Sequence, residues 1–180
     1  VLHREIGTLE RLDFYDALAA NHEVLIPDHP GFGHSPRPDW LMNVRDIAVV
    51  YRAMLGTLGR NNAALVGLGF GGWIAAEMAT FAPVDTPALV LVGAMGIKPP
   101  SGDIMDQALL SYIEYVQAGF HDLANYARAF GERPSSEQLV MWDICREMSF
   151  RVAWKPYMYN DTLPHLLAGV RTRPLVIWGD

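Results

Sequence analysis

Apolar residues follow two rhythms along this chain. Up to Gly102, short apolar runs alternate with stretches in which apolar positions recur every three or four residues. The runs are Glu23–Pro27, Ala63–Val66 and Ala88–Val92. Each has the length of a strand and is bounded by Gly- or Pro-containing loops. Between them, Val44, Ile47, Ala48, Tyr51, Leu55 and Leu58 fall on one helical face, and Gly59 closes that helix. A second helix over Gly71–Phe81 carries Ile74, Ala75, Met78 and Ala79 on one side, and Pro83 ends it. Apolar runs joined through helices predict a parallel sheet covered on both sides, an α/β fold. From Asp103 to about Leu167 the spacing is helical throughout. Leu109, Tyr112, Ile113 and Val116 make one stripe, and Leu139, Trp142, Ile144 and Met148 a less regular one, with breaks at Pro134 and Pro156. Pro174 then introduces Leu175–Trp178, which reads as a buried strand. A helical block inserted between strands reads as a lid, with ordinary packing helices as the alternative. The predicted organisation is a core part at 1–102, a helical cap at 103–167 and the start of a second core part at 168–180.

Composition narrows the class. Of 180 residues, 51% are hydrophobic and 19% charged, which suits one globular domain. The net charge is −6 with both signs mixed along the chain, so no basic stripe exists to track nucleic acid. The single cysteine, Cys145, excludes a disulfide within the chain and points to the cytoplasm. No apolar run is long enough to span a bilayer. The chain starts at Val1 without a methionine and stops two residues after an apolar run, so it reads as truncated at both ends.

The informative stretch is Ala63–Glu77: strand, glycine-rich turn, helix. Gly67, Gly69 and Gly71 occupy the positions of G-x-S-x-G, the turn that presents a nucleophile on a strained bend. The segment resembles that turn in the α/β-hydrolase fold, above all in the branch that includes carbon–carbon bond hydrolases. Asp28–Ser35, Val92–Pro100, Trp154–Asn160 with Leu163–Leu166, and Pro174–Asp180 resemble further segments of the same branch, in the same order. The resemblance implies hydrolysis of an ester or carbon–carbon bond in a small organic molecule, without metal or organic cofactor. It implies oxyanion donors at the backbone N–H groups of Glu5 and Phe70. It places the acid two residues beyond Asp180 and the histidine later still, so that Asp180 itself is a loop residue. Arg4 stands where the family's His-Gly segment has glycine.

Gly69 stands where the family has serine, so no acyl-enzyme can form there, and with the acid and histidine outside the chain it is expected to be inert in the family reaction as it stands. Backbone donors at the turn survive that change and still suit an anion or a carbonyl oxygen. Glycine also relieves the strain of the bend, so Gly69→Ser is expected to lower stability slightly. No other residue is an obvious replacement. Cys145 reads as packing, Ser35 as part of the pocket floor and Ser101 as a turn residue. His3, His29 and His34 read as structural or surface residues, and no metal-ligand spacing is present. Arg151 and Trp154, with Lys155, could line the cap's inner face and meet a carboxylate substrate. The alternative is a surface Arg and Lys beside a core Trp. Two other functions stay open: a non-catalytic small-molecule binder on the same scaffold, and a dinucleotide site, because Gly67, Gly69 and Gly72 also satisfy G-x-G-x-x-G. Against the latter, the following strand ends at Val92–Gly93 without an acidic residue.

Overall fold

A computed structural model describes residues 1–8, 12–81 and 86–179. Pro83 and Asp180, to which the sequence assigned a helix stop and a loop, lie outside the described residues. Three parallel strands form the sheet in the order β1 (Leu65–Leu68), β2 (Leu89–Val92), β3 (Leu175–Ile177). Leu65 pairs with Leu89, and Val90 with Leu175. Leu2 extends the sheet beyond β1: its N–H donates to Val66 O at 2.8 Å, and Leu68 N–H donates to Leu2 O at 3.0 Å.

The helices before β2 are α1 (Asp13–Ala19), α2 (Val44–Thr57) and α3 (Phe70–Phe81). Asn43 and Asp46 form a reciprocal cap at the start of α2. Gly59 ends it, at φ +66°, with Gly59 N–H on Gly56 O and Arg60 N–H on Leu55 O. Val44, Ile47, Ala48, Tyr51 and Leu55 are buried as their spacing predicts, but Leu58 caps the helix and is exposed. Helix α3 is buried on nearly every side, from Phe70 to Ala79, because it lies across β1 and β2 with α2 on its flank.

Residues 103–167 hold α4 (Tyr112–Gln117), α5 (Leu123–Phe130), α6 (Ser136–Ala153) and α7 (Leu163–Leu167). Helix α6 serves two cores. Cys145, Met148, Val152 and Ala153 join the main core, whereas Trp142 joins a smaller aromatic cluster with Tyr112, Val116, Tyr126 and Ile6. The chain leaves this block through a parallel bridge between Tyr159 and Gly96, where Gly96 lies against the Trp73 ring too closely for a Cβ. Fully buried Glu77 ties the same region together. It pairs with Arg45 at 2.7 Å and accepts from Asn160 Nδ2 at 2.8 Å.

Several sequence expectations need correction. Glu23–Pro27 is not a strand among the described residues; its Leu25 carbonyl accepts from the Val1 amino group, but it joins no ladder. Leu175–Ile177 is a strand, but an exposed one. The stripe from Leu109 to Val116 is broken, because Ser111 and Glu114 cap α4 at Tyr112 and leave Leu109 82% exposed in a loop. On α6 the buried positions are Met141, Trp142, Cys145, Met148, Ser149, Val152 and Ala153, while Leu139 and Ile144 face outward.

Candidate active site

The turn between β1 and α3 is fixed by its own backbone. Gly69 has φ +51°, a left-handed conformation that costs a residue with a Cβ about 1–2 kcal/mol. Its N–H donates to Val92 O at 2.9 Å. Its carbonyl accepts from Gly72 and Met95 N–H, each at 3.0 Å. The neighbouring glycines allow contact between backbones. A Cβ on Gly67 would lie 2.4 Å from Gly71 O, and one on Gly71 2.2 Å from Leu2 O. One on Gly72 would lie 2.6 Å from the Ala94 Cβ. The G-x-G-x-x-G spacing is thus accounted for by packing and by the bend at Gly69.

Residues 3–7 cover this turn. Gly7 N–H donates to Arg4 O at 3.1 Å, closing a tight bend around Glu5 and Ile6. Two stacked histidines hold the bend from beneath, with ring centroids 3.5 Å apart. His3 Nε2 accepts from the His29 N–H at 2.9 Å, so the proton sits on Nδ1, which donates to Arg4 O at 2.6 Å. His29 Nε2 donates to His3 O at 3.0 Å, and its Nδ1 accepts from the Tyr51 hydroxyl at 2.6 Å. Both rings are therefore neutral in this network. Burial drives both below the ordinary histidine range, His29 the further, with His3 adding to the effect on His29.

The Glu5 side chain is the group that reaches the turn. It is buried, at 4% exposure. Its Oε2 accepts from Phe70 N–H at 3.4 Å, and its Oε1 accepts from the Tyr115 hydroxyl at 3.0 Å. The Arg4 guanidinium stands 3.6 Å from Oε1. A Cβ on Gly69 would lie 2.8 Å from Oε2. Burial first, and then the Glu5 charge, push the Tyr115 phenol upward, so it stays protonated and donates. A carboxylate, a phenol, a guanidinium and a helix-terminal N–H thus meet beside residue 69. The sequence drew attention to Glu5 for its N–H, whereas the structure brings its carboxylate to Gly69. Tyr115, 110 residues away in α4, carried no signal.

Other candidates lie elsewhere. Arg151 donates to Asp39 O at 2.7 Å and Leu41 O at 3.3 Å, fastening α6 to the loop before α2. Trp154 is 55% exposed and packs edge-on with Phe150 and Tyr157. The structure brings neither into contact with Gly69 or Glu5. Cys145 is fully buried, and burial pushes its thiol up to about 11. Ser35 donates to Asp28 O at 3.1 Å, and Ser101 is exposed. Among the described residues, no group of three or more His, Cys, Asp or Glu side chains is placed to hold a metal, and no helix is long and apolar enough to cross a membrane.

A cavity of about 120 Å³ lies beside the Glu5 bend, between Arg4, Leu68 and the aromatic cluster of Phe120, Phe130 and Trp142. A larger one, about 380 Å³, is bounded by Leu25, Tyr51, Met54 and Val66. Its lining includes neither Glu5 nor Gly69 nor Phe70, so it is not the space in front of the turn.

The parallel sheet and its flanking helices are those of the α/β-hydrolase fold. The model of the alpha/beta hydrolase family matches residues 7–180, and the chain belongs to that family. It is 38% identical over 90 residues to the 2-hydroxymuconate semialdehyde hydrolase of Pseudomonas sp. (strain CF600), an alignment covering 49% of this chain and 32% of that enzyme. Among solved structures, a bromoperoxidase from Bacillus anthracis superposes with TM-score 0.60 at 24% identity, over 92% of this chain and 67% of its own. A membrane phospholipase A described as a bacterial virulence factor gives TM-score 0.60 at 19% identity, over 86% and 53%. The chain thus spans about a third of that curated hydrolase. The two structural likenesses speak to fold alone.

Proposed function

We propose that this chain carries the nucleophile turn and cap of a hydrolase-family protein that takes a small organic molecule with an ester, or with a carbon–carbon bond next to a carbonyl. We propose further that it forms no acyl-enzyme at residue 69. In this reading residues 103–167 cap the part formed by 1–102, and 168–180 begin the return to the core. Phe70 N–H is the donor offered to a carbonyl oxygen. The observation that carries the reading is Gly69 itself: a left-handed residue at the head of α3, with no side chain to bond to an acyl group. The likeness to a semialdehyde hydrolase supports the substrate class.

A non-catalytic binder is the second reading. It is favoured by the Glu5 carboxylate, which already sits on the Phe70 N–H and fills the ground in front of Gly69. A dinucleotide site has no comparable support, since Gly67 and Gly72 are tied to backbone contacts.

The test uses p-nitrophenyl acetate as probe. The natural chain is quenched during exposure and its intact mass measured. The expected result is unmodified protein and no burst of p-nitrophenol. An acetyl adduct that forms and decays at the turnover rate would refute the proposal.

A further inference from the structure

Resting on that reading, we propose that the Glu5 carboxylate is the catalytic base of this site, activating water directly in place of the missing serine. Glu5 is a buried acid whose two oxygens are unequally engaged. Oε1 holds Tyr115 at 3.0 Å and faces Arg4 at 3.6 Å. Among the described residues, Oε2 accepts from the Phe70 N–H alone, at 3.4 Å, near the outer limit of a hydrogen bond. Oε2 is also the atom that a side chain at residue 69 would meet first, 2.8 Å from its Cβ. The proposal places a water on that side of Oε2, donating to it, in the role of the absent nucleophile, with Glu5 drawing back from residue 69 to admit it. Tyr115 and Arg4 hold the carboxylate by Oε1 and leave Oε2 to accept the proton.

For an ester the step balances as follows. Oε2 takes one proton from water while the water oxygen bonds to the carbonyl carbon. The carbonyl oxygen gains the negative charge and takes over the Phe70 N–H, whose long bond to Oε2 is easily exchanged. The intermediate then collapses, the bond to the alkoxide breaks, and the proton on Glu5 passes to that leaving oxygen. An acid and an alcohol result, with one water consumed and no covalent link to the protein. A carboxylate that only latched α4 to the 3–7 bend would need hydrogen-bonding capacity but no basicity.

That difference is the test. With p-nitrophenyl acetate as substrate, Glu5→Gln keeps an acceptor for Tyr115 and removes the base. The expected result is a loss of about 100-fold or more in kcat, with KM within a few-fold, and disappearance of the acid limb of the rate–pH profile. Glu5→Ala should lose as much and recover at least about tenfold in added formate, but not in chloride of equal ionic strength. Glu23→Gln, on the surface with Arg60, is the control and should be unchanged. Three results overturn the proposal: no hydrolysis by the natural chain, Glu5→Gln within about tenfold of it, or folded Glu5→Ala that formate does not rescue. If activity persists in Glu5→Gln and no acyl adduct forms, the base is not Glu5 although the absence of an acyl-enzyme stands. An acyl adduct would fail the earlier reading instead.

Discussion

Placing a methyl group on Gly69 probes both the bend and the carboxylate above it. Gly69→Ala forces an L side chain to φ +51°, at about 1–2 kcal/mol. The new Cβ also arrives 2.8 Å from Glu5 Oε2, closer than such contacts allow. Glu5 must retreat, weakening the bonds it accepts from Phe70 N–H and the Tyr115 hydroxyl. Hydrogen bonds to a charged group contribute about 1.5–3 kcal/mol, so a partial loss costs about 1 kcal/mol. The reduced freedom of the unfolded chain returns about 0.4–1 kcal/mol. The net expectation is a destabilisation of about 2 kcal/mol, or a Tm lower by about 4–8 °C for a domain of this size. Urea unfolding of four proteins measures it: natural, Gly69→Ala, Glu5→Ala and the double variant. In the Glu5→Ala background the contact is gone, so the cost of Gly69→Ala should fall to about 1 kcal/mol, a coupling of about 1 kcal/mol. A Gly69→Ala protein as stable as the natural chain refutes the account of the bend. Equal costs in the two backgrounds refute the account of Glu5.

Two further outcomes follow from buried polar groups. His3 and His29 are neutral in the fold and held below the ordinary histidine value of 6.5, so the unfolded chain binds more protons at acid pH. Stability should be fully present above about pH 6.5 and decline as pH falls below it, and urea midpoints across that range in His29→Gln should show a shallower decline. Arg45→Ala strips the partner from the fully buried Glu77, leaving Asn160 and a long contact from Trp73. A loss of about 3 kcal/mol is expected, at the low end for a broken buried pair because Arg45 is partly exposed, and Glu77→Gln should recover part of it in the double variant.

The parts of the fold legible in the sequence are those where local pattern and tertiary environment agree. The second helix announces itself through its stripe and Gly59, and β1 and β2 through apolar runs at the edge of glycine turns. Glu23–Pro27 has the same composition as a strand, but pairing is a property of neighbours, and here it finds no ladder. Leu109 misleads for the opposite reason: an apolar residue at helical spacing sits outside a helix whose start is set by Ser111 and Glu114. That capping pair was present in the sequence and would have placed the boundary. At the site, Gly69 was legible because a missing side chain is visible in a motif. The carboxylate of Glu5 was not, because whether its side chain or its N–H faces the turn depends on the bend that Gly7 closes and on a tyrosine far along the chain.

The four glycines of the turn are not equivalent as targets of mutation. At Gly67 and Gly71 any side chain would strike rigid backbone, and at Gly72 it would strike Ala94. At Gly69 the nearest obstacle is the tip of Glu5, which can swing aside. A single base separates some glycine codons from serine codons. The chemistry of this turn therefore lies one tolerable substitution away from a different one, while the frame that presents it cannot drift. A change at residue 69 displaces the Glu5 side chain and leaves the glycine frame around it in place.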